Sequence, residues 1–263
     1  MDTQSQCRNL SLNEPLIGTA ANSHHLMIVD QARPWKSKIQ DSLHLNEETQ
    51  SILDSWRQAG QSFTLLANAT TKESLGLSHR FSWTAGKYVP DPKLEADEAV
   101  WLVCTHGSRD SCCGTLGVRL AQQLRQLNIG QVWEVSHIGG HRFAPTLWHL
   151  PSWRVYGRLP ENSLELSNWV SKPLGTQFLR GHAGYSAKLQ VFEAYLFEQN
   201  AQWPLNLQIL DGQISVQWSE RQESWQVEFH EQQQSGFQSC RDIAPGTVGN
   251  WTSYRISDAK RLD

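Results

Sequence analysis

The 263-residue sequence is 39% hydrophobic and 19% charged, which excludes a disordered or fibrous chain and supplies enough apolar material for a sizeable core. A formal net charge of −3 gives no basic field for a phosphate backbone, so nucleic acid is not an expected partner. No apolar run approaches the ~20 residues that span a bilayer, and the start, MDTQSQCRNLSLNEP, lacks a basic-then-apolar secretion pattern; no membrane partner and a cytoplasmic address are expected.

The chain reads in three parts. In the first, to about residue 90, a strand at His25–Asp30, a helix at Glu48–Gln58 and a strand at Ser62–Leu66 make a β-α-β unit. Asn46 is the helix N-cap, with acidic Glu47 and Glu48 in the first turn, and Gly60 is its stop. The second part repeats the order with a strand at Ala99–Cys104, a Gly/Ser/Asp-rich loop, a helix at Thr115–Leu127 and a strand at Gln131–Ser136. Leu116, Val118, Leu120 and Leu124 fall close to one face of that helix. Short strands at Leu147–His149 and Arg154–Arg158 follow, and a helix at Ala187–Glu198 closes the part. From Trp203, two alternating strands flank the hairpin signal Asp211-Gly212 and a third strand runs over Ser224–His230, so a small antiparallel sheet is expected. Glu231–Gly236 reads as a surface loop, and the tail after Gly246 is too polar to assign. The fold class is therefore α/β, divided at 1–92, 93–202 and 203–263.

Five cysteines in a reducing compartment do not suggest a disulfide framework, and three of them, at 104, 112 and 113, lie within ten residues, a clustering that points to chemistry. Cys7 and Cys240 stand alone in the sequence and read as isolated thiols. Cys104 ends one apolar strand, with Cys113 nine residues on; His137 and His141 follow the next apolar strand, separated by Ile-Gly-Gly. If those strands are parallel neighbours joined by a right-handed crossover, both loops leave the same sheet edge and the four side chains converge. Two thiolates and two imidazoles complete either a two-iron cluster or one tetrahedral zinc. Paired glycines at 139 and 140 disfavour a helix and let the backbone curl round a bulky ligand. Taken singly, each histidine or cysteine is more often a structural residue, and Cys112 competes with its neighbour as a ligand.

The segment Leu102–Leu159, with CTHGSRDSCCGTLG and VWEVSHIGGHRFAPTLWHLPSWRVYGRL, resembles the sucrase/ferredoxin-like family. The resemblance extends to Cys7, EPLIGTA at 14–20, Pro34-Trp35, Leu179-Arg180-Gly181 and QVFE at 190–193. It implies a thioredoxin-like [2Fe–2S] ferredoxin fold for the lobe at 93–202; the repeated element order, rather than matched residues, suggests a similar cluster-free lobe before it. It also implies Cys-x8-Cys and His-x3-His ligation, which lands on Cys104, Cys113, His137 and His141 and leaves Cys112 as packing or a spare thiol. Nothing in the chain marks the paired carboxylates of a glycosidase. The expected role is electron transfer to an unidentified redox partner protein, without substrate turnover. Neutral imidazoles in place of two thiolates leave the oxidised cluster near zero charge rather than about −2, so a raised, pH-dependent potential follows.

Three other readings compete. A zinc site uses the same ligands but gives a colourless protein. A thiol-disulfide oxidoreductase lacks its Cys-x-x-Cys, and a clusterless interaction module would carry no iron. Arg109 pairs with Asp110 in the simplest reading, or approaches the cluster sulfurs; His106 and Arg142 sit beside ligands, where they would tune the site or meet a partner. Electron donor, pathway and oligomeric state are not encoded in any recognisable motif.

Overall fold

The computed structural model describes residues 7–43, 45–58, 62–68, 78–84, 86–92 and 98–262. The element order is α1 (Cys7–Leu10), β1 (His25–Asp30), α2 (Glu47–Gln58), β2 (Ser62–Ala67), β3 (Ser78–Thr84), β4 (Lys87–Val89), β5 (Val100–Cys104), α3 (Val118–Gln126) and β6 (Gln131–Val135). There follow β7 (Leu147–Leu150), β8 (Arg154–Tyr156), α4 (Ser163–Val170), β9 (Leu179–His182), α5 (Ala187–Asn200), β10 (Asn206–Leu210), β11 (Gln213–Gln217), β12 (Gln222–Gly236), α6 (Cys240–Ile243) and β13 (Gly249–Arg261). The α/β class expected from the sequence holds. Among the described residues nine strands form one mixed sheet in the order β4-β3-β1-β2-β6-β5-β7-β8-β9, and β10 to β13 form a separate antiparallel sheet.

The large sheet is built from one plan used twice. β1 and β2 pair in parallel across α2, and β5 and β6 pair in parallel across α3. In each half the next two strands turn back antiparallel, β3 then β4 beside β1, and β7 then β8 beside β5. The halves meet antiparallel at β2 and β6, where Ala67 faces Val135. The fully buried run Val100–Cys104 is what a central strand covered on both faces requires. Asn46 does cap α2, its Oδ1 accepting from the Thr49 amide at 2.8 Å; the stop assigned to Gly60 lies outside the described residues. β3, β4, α4 and β9 were not anticipated, being short or lacking a clean period. α4 does carry a local signal, since the Asn162 side chain accepts from the Leu164 and Glu165 amides.

α5 explains how the two sheets join. Its Glu193 carboxylate receives Arg154 of β8 at 2.5 Å, and Ala194 packs with Tyr156 and Leu179 against the large sheet. On another side Phe192 and Leu196 pack with Leu207, Val216 and Trp218 of the small sheet and its approach. A helix apolar on more than one side is buried between layers.

The expected loop at Glu231–Gly236 is instead the second half of β12, and the polar tail is its partner β13. Side-chain pairs hold this ladder together: Gln233 donates to Thr252 Oγ1 and Gln234 to Ser253 Oγ, both at 3.0 Å. Polar cross-strand pairs stabilise a solvated ribbon without the apolar alternation by which strands are recognised.

β7 also supplies a pH-sensitive contact. The ring of His149 lies 4.4 Å from that of Trp101 and bonds Ser152 Oγ at 2.8 Å; burial, with the charge of Arg154, lowers its pKa from 6.5 to about 4. The folded protein resists protonating this ring, so its contribution to stability is complete above about pH 6.5 and is lost as pH falls toward 4. Between pH 7 and 4.5 the wild-type protein should lose on the order of 2 kcal/mol more unfolding free energy in urea than His149→Asn. Parallel pH profiles would dismiss the effect.

Candidate metal centre

Parallel pairing sets Cys104, the last residue of β5, opposite Val135, the last of β6, so the loops that follow leave the same edge of the sheet. After Cys104 the chain crosses to Ser111 and turns helical at once, through a wide π-helical turn at Cys113–Gly117 that leads into α3. This is a turn earlier than the sequence pattern indicated. Two glycines let the helix base lie on the strand end. A Cβ on Gly117 would stand 1.8 Å from the Cys104 carbonyl oxygen, and one on Gly114 would stand 2.6 Å from Gly107 Cα. With no side chains intervening, Cys113 is brought back against Cys104, and both are fully buried.

Beyond β6 the segment His137–Gly140 curls over this pair. Gly139 and Gly140 have φ of 87° and 65°, and a Cβ on Gly140 would meet the Arg180 guanidinium at 2.4 Å, so glycine is required there for conformation and for room. Arg180, buried on β9, donates to the Gly139 carbonyl at 2.8 Å and to the Thr19 carbonyl at 2.5 Å. Burial lowers its pKa to about 9, which leaves it a cation at neutral pH behind the two thiols. The short turn His141–Phe143 is clamped from outside, Arg142 binding Glu14 at 2.6 Å and Gln238 at 2.5 Å.

The ligand-type atoms of Cys104, Cys113 and His137 lie within 4.8 Å of one another, with Cys104 Sγ 4.0 Å from His137 Nδ1. His141 stands outside that compact trio. Its ring stacks on His137 at 4.4 Å between centroids, with 26° between planes. His141 Nδ1 is buried with no hydrogen-bond partner among the described residues, a situation that costs about 1–3 kcal/mol and that a ligand bond would relieve. A hydrogen bond with Cys113 and one with His137 hold the Cys104 thiol well below its ordinary pKa against the opposing effect of burial. The Cys104 bond and burial push Cys113 up, and burial beside His137 lowers His141 to about 3. One thiolate, one thiol and a neutral imidazole is a donor set suited to a thiophilic metal.

His137 also lines a cleft of about 360 Å³ shared with Lys38, Arg57, His106, Arg109 and Phe63. Among the described residues no Asp or Glu lines it, and those that do line it include Lys38, Arg57 and Arg109, so its described lining is cationic. His106 bonds the Lys36 carbonyl at 3.0 Å and Arg142 is held by Glu14, so both act as struts of the surrounding loops. Asp110 does not take the expected partner: its carboxylate turns inward and accepts the Cys112 and Cys240 amides, each at 2.9 Å. Cys112 is fully buried in the hydrophobic core, and there its Sγ meets Cys7 at 3.8 Å and Cys240 at 3.2 Å. The sequence does not show this second group because its three cysteines lie more than a hundred residues apart; the paired Cys112-Cys113, which face different neighbours, is the available signal.

A family model described as sucrase/ferredoxin-like matches residues 16–168, more than half of the chain. Comparison with curated proteins and with solved structures gave no match. Among the described residues no helix is long and apolar enough to cross a membrane.

Proposed function

Because the chain belongs to the sucrase/ferredoxin-like family, we propose that it is a one-electron carrier whose [2Fe–2S] cluster is held by Cys104, Cys113, His137 and His141. The observation that carries this reading is the convergence of Cys104, Cys113 and His137 within 4.8 Å beside the unpartnered Nδ1 of His141. When bound, such a cluster supplies one-electron redox chemistry. The residues around it hold it out of water and set its charge. Cys104 and Cys113 are closed off beneath the base of α3, Arg180 places a buried cation behind them, and His137 alone of the four reaches the cleft. Electrons would then enter and leave on the histidine side, where Lys38, Arg57 and Arg109 favour a redox partner with an acidic face. The cytoplasm, with its reduced thiols, suits a chain with five free cysteines.

A single zinc in the same place is the second reading, favoured by the 4.0 Å separation of Cys104 Sγ and His137 Nδ1. Bonds of about 2.3 Å to sulfur and 2.0 Å to nitrogen put tetrahedral ligands about 3.5 Å apart. Electron paramagnetic resonance of dithionite-reduced protein, purified without oxygen, separates the two. The ferredoxin reading requires colour, about two irons per chain and a spin-half signal with nitrogen hyperfine coupling. A colourless, silent, iron-free protein holding a zinc that is lost on Cys104→Ser would establish the zinc reading instead.

A further inference from the structure

Three cysteines that the cluster reading does not use come together from the two ends and the middle of the chain. Cys7 lies on α1, Cys112 on the helical turn before Cys113, and Cys240 at the start of α6. Their Sγ atoms form a closed triangle with sides of 3.8 Å (Cys7 to Cys112), 3.2 Å (Cys112 to Cys240) and 3.2 Å (Cys240 to Cys7). A carboxylate oxygen of Asp110 lies within 4.8 Å of all three, and Asp110 is 2% exposed. We propose that Cys7, Cys112 and Cys240 bind a zinc ion as thiolates, with Asp110 closing the tetrahedron, at a structural site separate from the cluster ligands.

Zinc bonded to sulfur at about 2.3 Å sets tetrahedral thiolates about 3.8 Å apart. One side of the triangle already has that length, and the other two need to open by about half an ångström. A disulfide explains the triangle less well. It would draw two sulfurs to about 2.05 Å and leave the third with no role, whereas no pair here is singled out. Simple packing is also a poor account, because buried thiols behave as small hydrophobes and gain nothing from a buried carboxylate. Asp110 spends one lone pair of each oxygen on the Cys112 and Cys240 amides, which fixes both ligand-bearing residues and leaves lone pairs free for a metal. On binding, each thiol gives up its proton to solvent, so three thiolates and a carboxylate face the dication.

Such a site gives the C-terminal extension a purpose. α6 is tied to the loop between β5 and the helical turn of Cys112 through Arg241, which donates to Ser37 Oγ at 2.9 Å and to the Ser108 carbonyl. Zinc would fasten that segment and α1 to the same loop, at the residue next to a proposed cluster ligand. The inference stands apart from the cluster assignment, because zinc and iron are counted separately.

The test is elemental analysis of the full chain, purified anaerobically and without immobilised metals, as wild type, Cys7→Ser, Cys240→Ser and the Cys104→Ser/Cys113→Ser double variant. About one zinc per chain is expected in the wild type and the double variant, with at least a tenfold loss in Cys7→Ser and Cys240→Ser while their iron is kept. If the serine variants do not fold, Co²⁺ exchanged into the double variant should give the intense thiolate charge-transfer and visible bands of a tetrahedral site. Three results would overturn the proposal: wild-type protein that holds no zinc and takes up none when Zn²⁺ is added, zinc that is lost with Cys104 and Cys113 but kept without Cys240, or a disulfide between any two of the three in the non-reduced mass spectrum.

Discussion

Serine at position 104 should leave the protein colourless, taking its iron from about two atoms per chain to almost none. The Cys104 sulfur ends a strand that is buried along its whole length, and its carbonyl is pressed against Gly117, so neither water nor a neighbouring side chain can step in. A serine oxygen is shorter and harder than a thiolate and is a poor donor to iron in this environment. Cys113→Ser should do the same, since the two sulfurs share one hydrogen-bonded site. Cys112→Ser is the informative control. Its Sγ faces Cys7 and Cys240, so the visible spectrum and the iron should survive, and any loss should appear in zinc and in resistance to urea. Iron, sulfide and absorbance per chain are the measurements. If Cys112→Ser bleaches and Cys113→Ser does not, the ligand assignment moves by one residue and the pairing with Cys104 fails.

The difference between those adjacent cysteines marks how far the sequence could be read. The strand end at Cys104 was legible, and that at Val135 to within one residue, because both strands are apolar runs bounded by polar loops, and parallel pairing follows from the β-α-β order. That Cys113 returns to Cys104 depends on Gly114 and Gly117, whose role is the close approach of two backbones; a lone glycine in a helical stretch does not announce such a contact. Arg180 was visible only as part of a resemblance, because a buried guanidinium reveals itself by the carbonyls it satisfies, and those lie at Thr19 and Gly139. The pairing of β12 with β13 escaped for a different reason: glutamine, serine and threonine carry a ladder by cross-strand hydrogen bonds, while hydrophobic period is the signal that sequence reading uses. Cys7 and Cys240 read as isolated thiols in the sequence because distance along the chain says nothing about distance in the fold.

Replacing His137 or His141 with cysteine should lower the midpoint potential by roughly 100 mV or more each. Rieske-type clusters, with two histidines, lie at about −150 mV and above, against about −400 mV for all-cysteine ferredoxins. Each substitution exchanges a neutral ring for a thiolate and so places about one extra negative charge beside the incoming electron. At position 141 burial keeps that charge from being screened, whereas at 137 the open cleft screens part of it, and Arg180 offsets part of it in both variants. The histidines should separate in their response to pH. A metal-bound imidazole loses its outer proton more readily when the metal is oxidised, so reduction takes up a proton and the potential falls as pH rises, by up to about 59 mV per unit for one proton per electron. His137 lines the open cleft, where an outer nitrogen can exchange with water, whereas His141 is 8% exposed beneath it. His137→Cys should therefore remove most of the slope and His141→Cys the smaller share, measured by protein-film voltammetry from pH 6 to 10. A wild-type potential that stays flat over that range would deny both rings a place on the iron with a titratable outer nitrogen. A variant that keeps its cluster at an unchanged potential would take that histidine out of the ligand set.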